Sequence, residues 1–283
     1  MMLTIRQGGM RDCKDLLDVY MGTHWTENYT TVEQVKAAHR GISFQKWGWL
    51  VAELGGRVVG EVLFRIETNP VTGRIGIITD IGVDVRYQKK GLGTKLVAAA
   101  ESALNAKMVG RLVATSPPDV YNFWMKLNWF ARGSLMDIAA SPSKIPIKKT
   151  TEVSTVRLED ITKLPKSMLF SNVAYPGLLA ETASAVVDGG RRGELFEFYS
   201  KDALVGVGVC TDYGNRTAVF VADITAKGAR YFDVVVSRTA RVAIQLNART
   251  VTSTIPSDKV QSYEGLTRWS SQLVRTIPIT KLI

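Results

Sequence analysis

The sequence predicts an α/β protein of two tandem domains, each a mixed, mainly antiparallel sheet flanked by helices. Three observations carry this expectation. Short β-rich runs alternate with amphipathic helical segments, the second half repeats the order of the first, and a glycine-containing loop opens a helix in the first half only.

Taken in order, LTIR (3–6) opens the chain as a strand. DCKDLLDVYMG (12–22) and VEQVKAAHRG (32–41) have the apolar spacing of amphipathic helices, on either side of a polar loop, HWTENYTT (24–31). WGWLVAELGGRVVGEVLFRIE (47–67) holds two β-rich runs broken at Gly55-Gly56, which reads as a hairpin, and NPVTGR (69–74) supplies the next turn. RIGIITDIGVDV (74–85) is a mostly apolar strand, long enough to lie centrally in a sheet. YQKKGLG (87–93) then leads into the apolar-periodic TKLVAAAESAL (94–104). A strand at RLVATS (111–116), a break at Pro117-Pro118, a short helix DVYNFWMKLN (119–128) and a last strand-like piece WFARGSLMDI (129–138) complete the half.

Residues 141–152 are rich in proline, serine and lysine and lack core-forming periodicity, so they read as a linker between domains at 1–140 and 153–283. Four short matches keep their order across it: LTIR (3–6) with STVR (154–157), VVGEV (58–62) with LVGVG (204–208), IITDIGV (77–83) with FVADITA (220–226), and RLVATSPP (111–118) with RTVTSTIP (249–256). One such match is chance; four in register imply duplication of a whole domain.

Composition narrows the functional classes. The 283 residues are 46% hydrophobic, as in a globular protein. No apolar run approaches the ~20 residues of a membrane helix, and the N-terminus lacks a targeting pattern, so the expectation is a soluble, cytoplasmic protein that does not engage a membrane. Cys13 and Cys210 are far apart, and neither they nor His24 and His39 form a metal-ligand or redox spacing. The expected metal count is therefore none. A net charge of +10 suits a phosphorylated ligand, an acidic surface or nucleic acid. The basic residues are dispersed without a stripe interleaved with aromatics, which disfavours nucleic acid. A homo-oligomer is left open.

The loop itself admits three readings. A dinucleotide fingerprint needs a glycine where Leu96 stands, and the nucleotidase phosphate loop has no match. The third reading is a pyrophosphate cradle, in which glycines let successive backbone amides and the positive end of a helix approach an anion. DIGVDVRYQKKGLGTKLVAAAESAL resembles the central motif of the GNAT superfamily of acyl-CoA-dependent N-acyltransferases, a strand, then [QR]-x-x-G-x-[GA], then a helix; Gln88, Gly91 and Gly93 fill its defining positions. The resemblance covers roughly the first 140 residues, and in the second half only Gly228 remains near the loop's position.

The resemblance implies an acetyl-CoA-dependent N-acetyltransferase with one acyl-CoA site. The pantetheine arm would pair with the strand end at Ile81, Gly82 and Val83, in a gap between that strand and RLVATS. The loop of Gln88, Lys89, Lys90, Gly91, Leu92, Gly93 and Thr94 would take the pyrophosphate. The acceptor would be an amine on a small molecule, a peptide or a protein. Asp80, the carboxylate within IITDIG, is the candidate base, with a structural pairing as the alternative. Glu27 and Trp25 lie in the loop that overhangs the acceptor site in this family, where they would hold an ammonium group or stay plain loop residues.

One departure weakens the enzyme reading. Where the family commonly has FYEKLGF with a tyrosine acid, this chain has FWMKLNW (123–129), and the indole of Trp124 cannot donate a proton at neutral pH. Tyr121, one turn earlier, is the candidate acid, with packing as its alternative. A catalytically weak acyl-CoA-binding module is accordingly the rival function. In the second half Tyr263 falls within one residue of the Trp124 counterpart and reads as an inherited remnant with a packing role.

Overall fold

The computed structural model describes residues 2–22, 29–40, 44–69, 73–148, 150–159, 177–187, 190–274 and 276–283. The elements of the first half are β1 (Leu3–Gln7), α1 (Cys13–Met21), α2 (Val32–Ala38), β2 (Trp49–Leu54), β3 (Arg57–Asn69), β4 (Gly73–Val83), α3 (Leu92–Asn105), β5 (Arg111–Ser116), α4 (Tyr121–Met125), β6 (Phe130–Ala131) and β7 (Leu135–Ala140). Those of the second half are β8 (Ser154–Leu158), α5 (Leu178–Val187), β9 (Gly193–Ser200), β10 (Ala203–Gly214), β11 (Thr217–Ile224), α6 (Phe232–Gln245), β12 (Thr250–Pro256), α7 (Val260–Glu264), β13 (Ser270–Leu273) and β14 (Ile277–Leu282).

Local chemistry accounts for several boundaries. Gly55 and Gly56 both have positive φ, 61° and 83°, the requirement of the tight turn joining β2 to β3. Thr31 caps α2 by accepting from the amide of Gln34 at 3.3 Å, while the Gln34 side chain accepts from the Thr31 amide at 3.0 Å. On α3, Leu92, Leu96, Val97, Ala100 and Leu104 are buried, the spacing of one helix face.

The chain forms two mixed seven-stranded sheets flanked by helices, the tandem α/β architecture expected from the sequence. Their orders are β1-β2-β3-β4-β5-β14-β6 and β13-β7-β12-β11-β10-β9-β8. Read from opposite ends they are the same list, except that β7 and β14 have changed places. The compact units are therefore discontinuous in sequence: Met1–Thr115, Asn122–Phe130 and Ile279–Ile283 form the first domain, and Ser116–Tyr121 with Ala131–Pro278 the second. The single strand expected over 129–138 is two strands, one in each sheet. Within the first domain the C-terminal strand is tied down by Thr280, whose hydroxyl donates to the Leu112 carbonyl at 2.8 Å, and by Lys281, 2.7 Å from Glu101.

Two further details differ from the sequence reading. The segment read as a linker sends Ile145 into the core of the second domain, beside Val153. The repeat register in the central strand is also displaced by two residues. Gly60 pairs with Val83 where Gly206 pairs with Ile224, and Gly76 pairs with Leu112 where Thr217 pairs with Thr250. IITDIGV thus corresponds to AVFVADI (218–224). A slip of two keeps every side chain on its own face, so the hydrophobic pattern alone cannot reveal it.

Candidate active site

The central strands of the first domain part company midway. β4 and β5 pair in parallel at Gly76–Leu112 and Ile77–Val113, and the ladder stops there although β4 runs on to Val83. The cause lies on the other edge of β4. Leu63 of β3 faces Asp80 and Phe64 faces Ile78, so Thr79 is an extra residue in the strand, and a bulge bends the strand that carries it. The bend opens a gap edged by residues 78–83, whose main-chain groups alternate between the two edges of the strand.

At the end of β4 the loop is fixed by bonds that spare the amides of residues 89–91. Asp84 donates its amide to the carbonyl of Val59 at 2.9 Å, and its buried carboxylate accepts from the Arg86 amide at 2.9 Å. The Arg86 guanidinium beside it holds that carboxyl below its ordinary range. Gln88 donates from its side chain to the Val83 carbonyl at 2.9 Å, so the glutamine of the motif staples the loop to the strand. Lys89 and Gly91 then adopt left-handed φ of 59° and 80°. Gly91 is the N-cap of α3, and the first amides of a helix have no intrahelical acceptor. Among the described residues, the amides of Lys89, Lys90 and Gly91 likewise reach no backbone carbonyl.

The loop is thus a concave run of main-chain donors at the positive end of a fourteen-residue helix, a site suited to a pyrophosphate. A Cβ on Gly91 would have nothing within 4 Å, so its glycine is required by conformation rather than space. A Cβ on Gly93 would lie 3.4 Å from the Phe123 ring, an ordinary contact. The lysines are peripheral: the Lys90 ammonium donates back to the Arg86 carbonyl at 3.0 Å, and Lys89 and Lys95 are exposed.

Asp80 sits beside the bulge. Its Oδ1 is sealed from solvent and has no hydrogen-bond partner among the described residues. Burial pushes the carboxyl up to about 7, against a smaller downward effect of the Ile81 amide. A carboxyl poised there exchanges protons readily at neutral pH.

A family model described as the acetyltransferase (GNAT) family matches residues 18–128. The first domain, which holds all of this match except residues 116–121, is a GNAT domain. Among solved structures the whole chain is similar to a GCN5-related N-acetyltransferase from Anabaena variabilis, with 10% identity over 99% of this chain and 73% of that one, and a TM-score of 0.70. It is also similar to a GCN5-related N-acetyltransferase from Sphaerobacter thermophilus, 12% identical over 99% and 95% of the two chains at a TM-score of 0.55. A tandem GNAT protein from the clavulanic acid biosynthesis pathway is 14% identical over 99% and 98%, with a TM-score of 0.55. These likenesses are of fold. No curated protein matches the sequence.

The remaining expected site residues fall into separate places. Trp25 and Glu27 lie outside the described residues. Tyr121 belongs to the second domain, where its hydroxyl oxygen accepts from the Ala131 amide at 3.1 Å and keeps its own proton to donate. In the GNAT domain Trp124 is buried, its ring 4.9 Å from that of Trp129. Among the described residues no cluster of His, Cys, Asp or Glu could hold a metal ion, and no helix is long and apolar enough to cross a membrane.

The second domain keeps the geometry of the gap and loses its access. β11 and β12 pair at Thr217–Thr250, Ala218–Val251 and Val219–Thr252 and then stop. Phe220, Phe232, Tyr263 and Trp269 cluster there, with Tyr263 edge-on to Phe232 at 5.0 Å. Tyr263 therefore packs, and burial raises its hydroxyl above its ordinary pKa. The loop amide of Gly228 is already taken by Thr225, through its carbonyl at 2.8 Å and its hydroxyl at 3.1 Å. A Cβ at Gly228 would lie 1.8 Å from the Val205 carbonyl, so this glycine serves close packing.

What the sequence reading missed is Glu61 with its partners Tyr20, His39 and Trp49, all fully or almost fully buried. The one signal was a charged residue inside the apolar run VVGEVLF.

Proposed function

We propose that the GNAT domain transfers an acetyl group from acetyl-CoA to an amine, with both substrates bound together. The observation that carries this reading is the pairing of the open β4–β5 gap with the free amides at the start of α3. Acetyl-CoA supplies a thioester carbonyl activated for attack. The amides of residues 89–94 hold its pyrophosphate, and the open edge at Ile81, Gly82 and Val83 takes the pantetheine arm as an added strand. Amides on that edge also polarise the carbonyl. Asp80 collects a proton from the acceptor's ammonium group, directly or through water, so that the neutral amine attacks, and water returns a proton to the departing sulfur. An amine on a small molecule, a peptide or a protein fits this chemistry.

The test is calorimetry with acetyl-CoA, paired with acceptor-dependent thiol release across an amine panel. Wild type should bind one acetyl-CoA per chain and release thiol with at least one amine, and Gly93→Glu should do neither. Absence of binding by wild type would sink the proposal. Binding without thiol release from any amine would favour the second reading, a weak acyl-CoA-binding module, which Trp124 at the usual place of the acid supports.

A further inference from the structure

Beside the gap lies a closed polar cluster that the scheme above does not use. Glu61 of β3 is 0% exposed, and side chains from α1, β2 and the residue closing α2 converge on it. The Tyr20 hydroxyl, near the end of α1, donates to Oε1. Oε2 meets the Trp49 indole N–H at 2.9 Å and His39 Nε2 at 3.0 Å. The other imidazole nitrogen, Nδ1, lies 2.7 Å from the carbonyl of Val35. Asp80 points to the same face of the sheet, because Glu61 pairs with Gly82 and Asp80 stands two residues before it.

Counting protons fixes the state of this cluster. A carbonyl oxygen only accepts, so Nδ1 of His39 carries a hydrogen, and indole only donates. One proton remains for the line between Oε2 and Nε2. On Nε2 it makes an imidazolium facing a carboxylate, two full charges with 0% of either side chain exposed. On Oε2 it makes a carboxylic acid that accepts from Trp49 and donates to His39 through one oxygen, so every bond is kept without charge. Burial disfavours the charged form of both partners, pushing Glu61 well above the carboxylate range and His39 below the imidazole value.

The surroundings push the same way. Asp80 from β4 and Asp12 before α1 both raise Glu61 further. The Cys13 thiol on α1 is kept protonated by burial, and Lys36 and Arg40, from α2 and just beyond it, act on that thiol. Along β3, Arg65 and Glu67 are paired with each other at 2.5 Å.

We infer that Glu61 and His39 hold a single immobile proton between them as a neutral positioning pair, which pins the ends of α1 and α2 to β2 and β3 and leaves Asp80 to take up the proton of turnover. The functional half of this inference rests on the acetyl-transfer reading; the proton placement does not.

Two measurements test it. In 15N-histidine NMR of the wild-type chain, the resonances lost in His39→Gln should show a neutral imidazole protonated at Nδ1 that does not titrate from about pH 5 to 9. An imidazolium, or a ring protonated only at Nε2, overturns the inference. In Glu61→Gln, kcat should fall roughly ten- to a hundredfold through misplacement, with acetyl-CoA affinity kept and the rise of rate with pH still centred where it is in wild type. Loss of that rise, or displacement of its midpoint by more than about one pH unit, makes Glu61 the proton acceptor and overturns it. If wild type turns over no amine, acetyl transfer fails as the function, and the NMR result still decides where the proton lies. It also decides if Glu61→Gln does not fold.

Discussion

Gln88 reaches back five residues and donates its side-chain amide to the carbonyl of Val83 at 2.9 Å, closing the loop against the strand it leaves. The motif glutamine therefore holds the amides of residues 89–94 in one curve, and under the acetyl-transfer proposal it would act on the ligand through the loop. Gln88→Ala should weaken acetyl-CoA binding about tenfold, the worth of roughly one hydrogen bond, and leave Tm nearly unchanged because the residue is exposed. Calorimetry beside a thermal melt checks both halves, and an equal Kd in the two proteins would refute the staple.

The two loop glycines should respond differently to alanine. Gly91 has φ of +80°, so Gly91→Ala should cost about 1–2 kcal/mol of stability through its backbone and distort the cradle. Gly93 sits within α3 with only the Phe123 ring at 3.4 Å, so Gly93→Ala should leave Tm within about 2 °C of wild type. The reverse order in a paired melt would mean that the loop is not in this conformation.

Asp80 gives stability a pH dependence of known sign. Its folded pKa of about 7 lies above the ordinary carboxylate value, so the folded chain keeps a proton that the unfolded chain releases. The stabilisation is whole below about pH 4, falls as pH rises through about 7, and is level beyond. Asp80→Asn should remove this decline and melt higher than wild type above neutrality, while kcat falls roughly 10²- to 10⁴-fold. Parallel pH–Tm curves for the two proteins would exclude a raised pKa.

The second domain should bind no acetyl-CoA. Thr225→Ala, which removes the cap on the Gly228 amide, should cost about 1 kcal/mol of stability and leave acetyl-CoA affinity at wild-type strength. Calorimetric stoichiometry should be one per chain. A value of two would show that the aromatic cluster around Tyr263 opens to a ligand.

A fragment of residues 1–150 should not fold alone. It lacks β14, which covers the edge of β5 and contributes buried Ile279 and the Lys281–Glu101 pair. An exposed central edge strand aggregates rather than folds. A cooperative melt of the soluble fragment would refute this.

Much of this molecule is written in local patterns. The Gly55-Gly56 turn, the amphipathic faces of α1 and α3, the duplication, and the loop at Gln88, Gly91 and Gly93 depend on residues near one another in sequence, where period, turn chemistry and spacing act directly. Other features depend on residues far apart. The exchange of β7 and β14 leaves no local trace, because each strand has the same pattern in either sheet. The two-residue slip that gives Asp80 a Val221 counterpart is silent for the same reason. The bulge at Thr79 that opens the gap, the sealed Oδ1 of Asp80, and the meeting of Tyr20, His39 and Trp49 on Glu61 exist only once strands and helices are packed. Burial and proton sharing are properties of that packing, so the sequence determined the loop's glycines and their spacing, and tertiary structure decided which carboxyls are buried and what they meet.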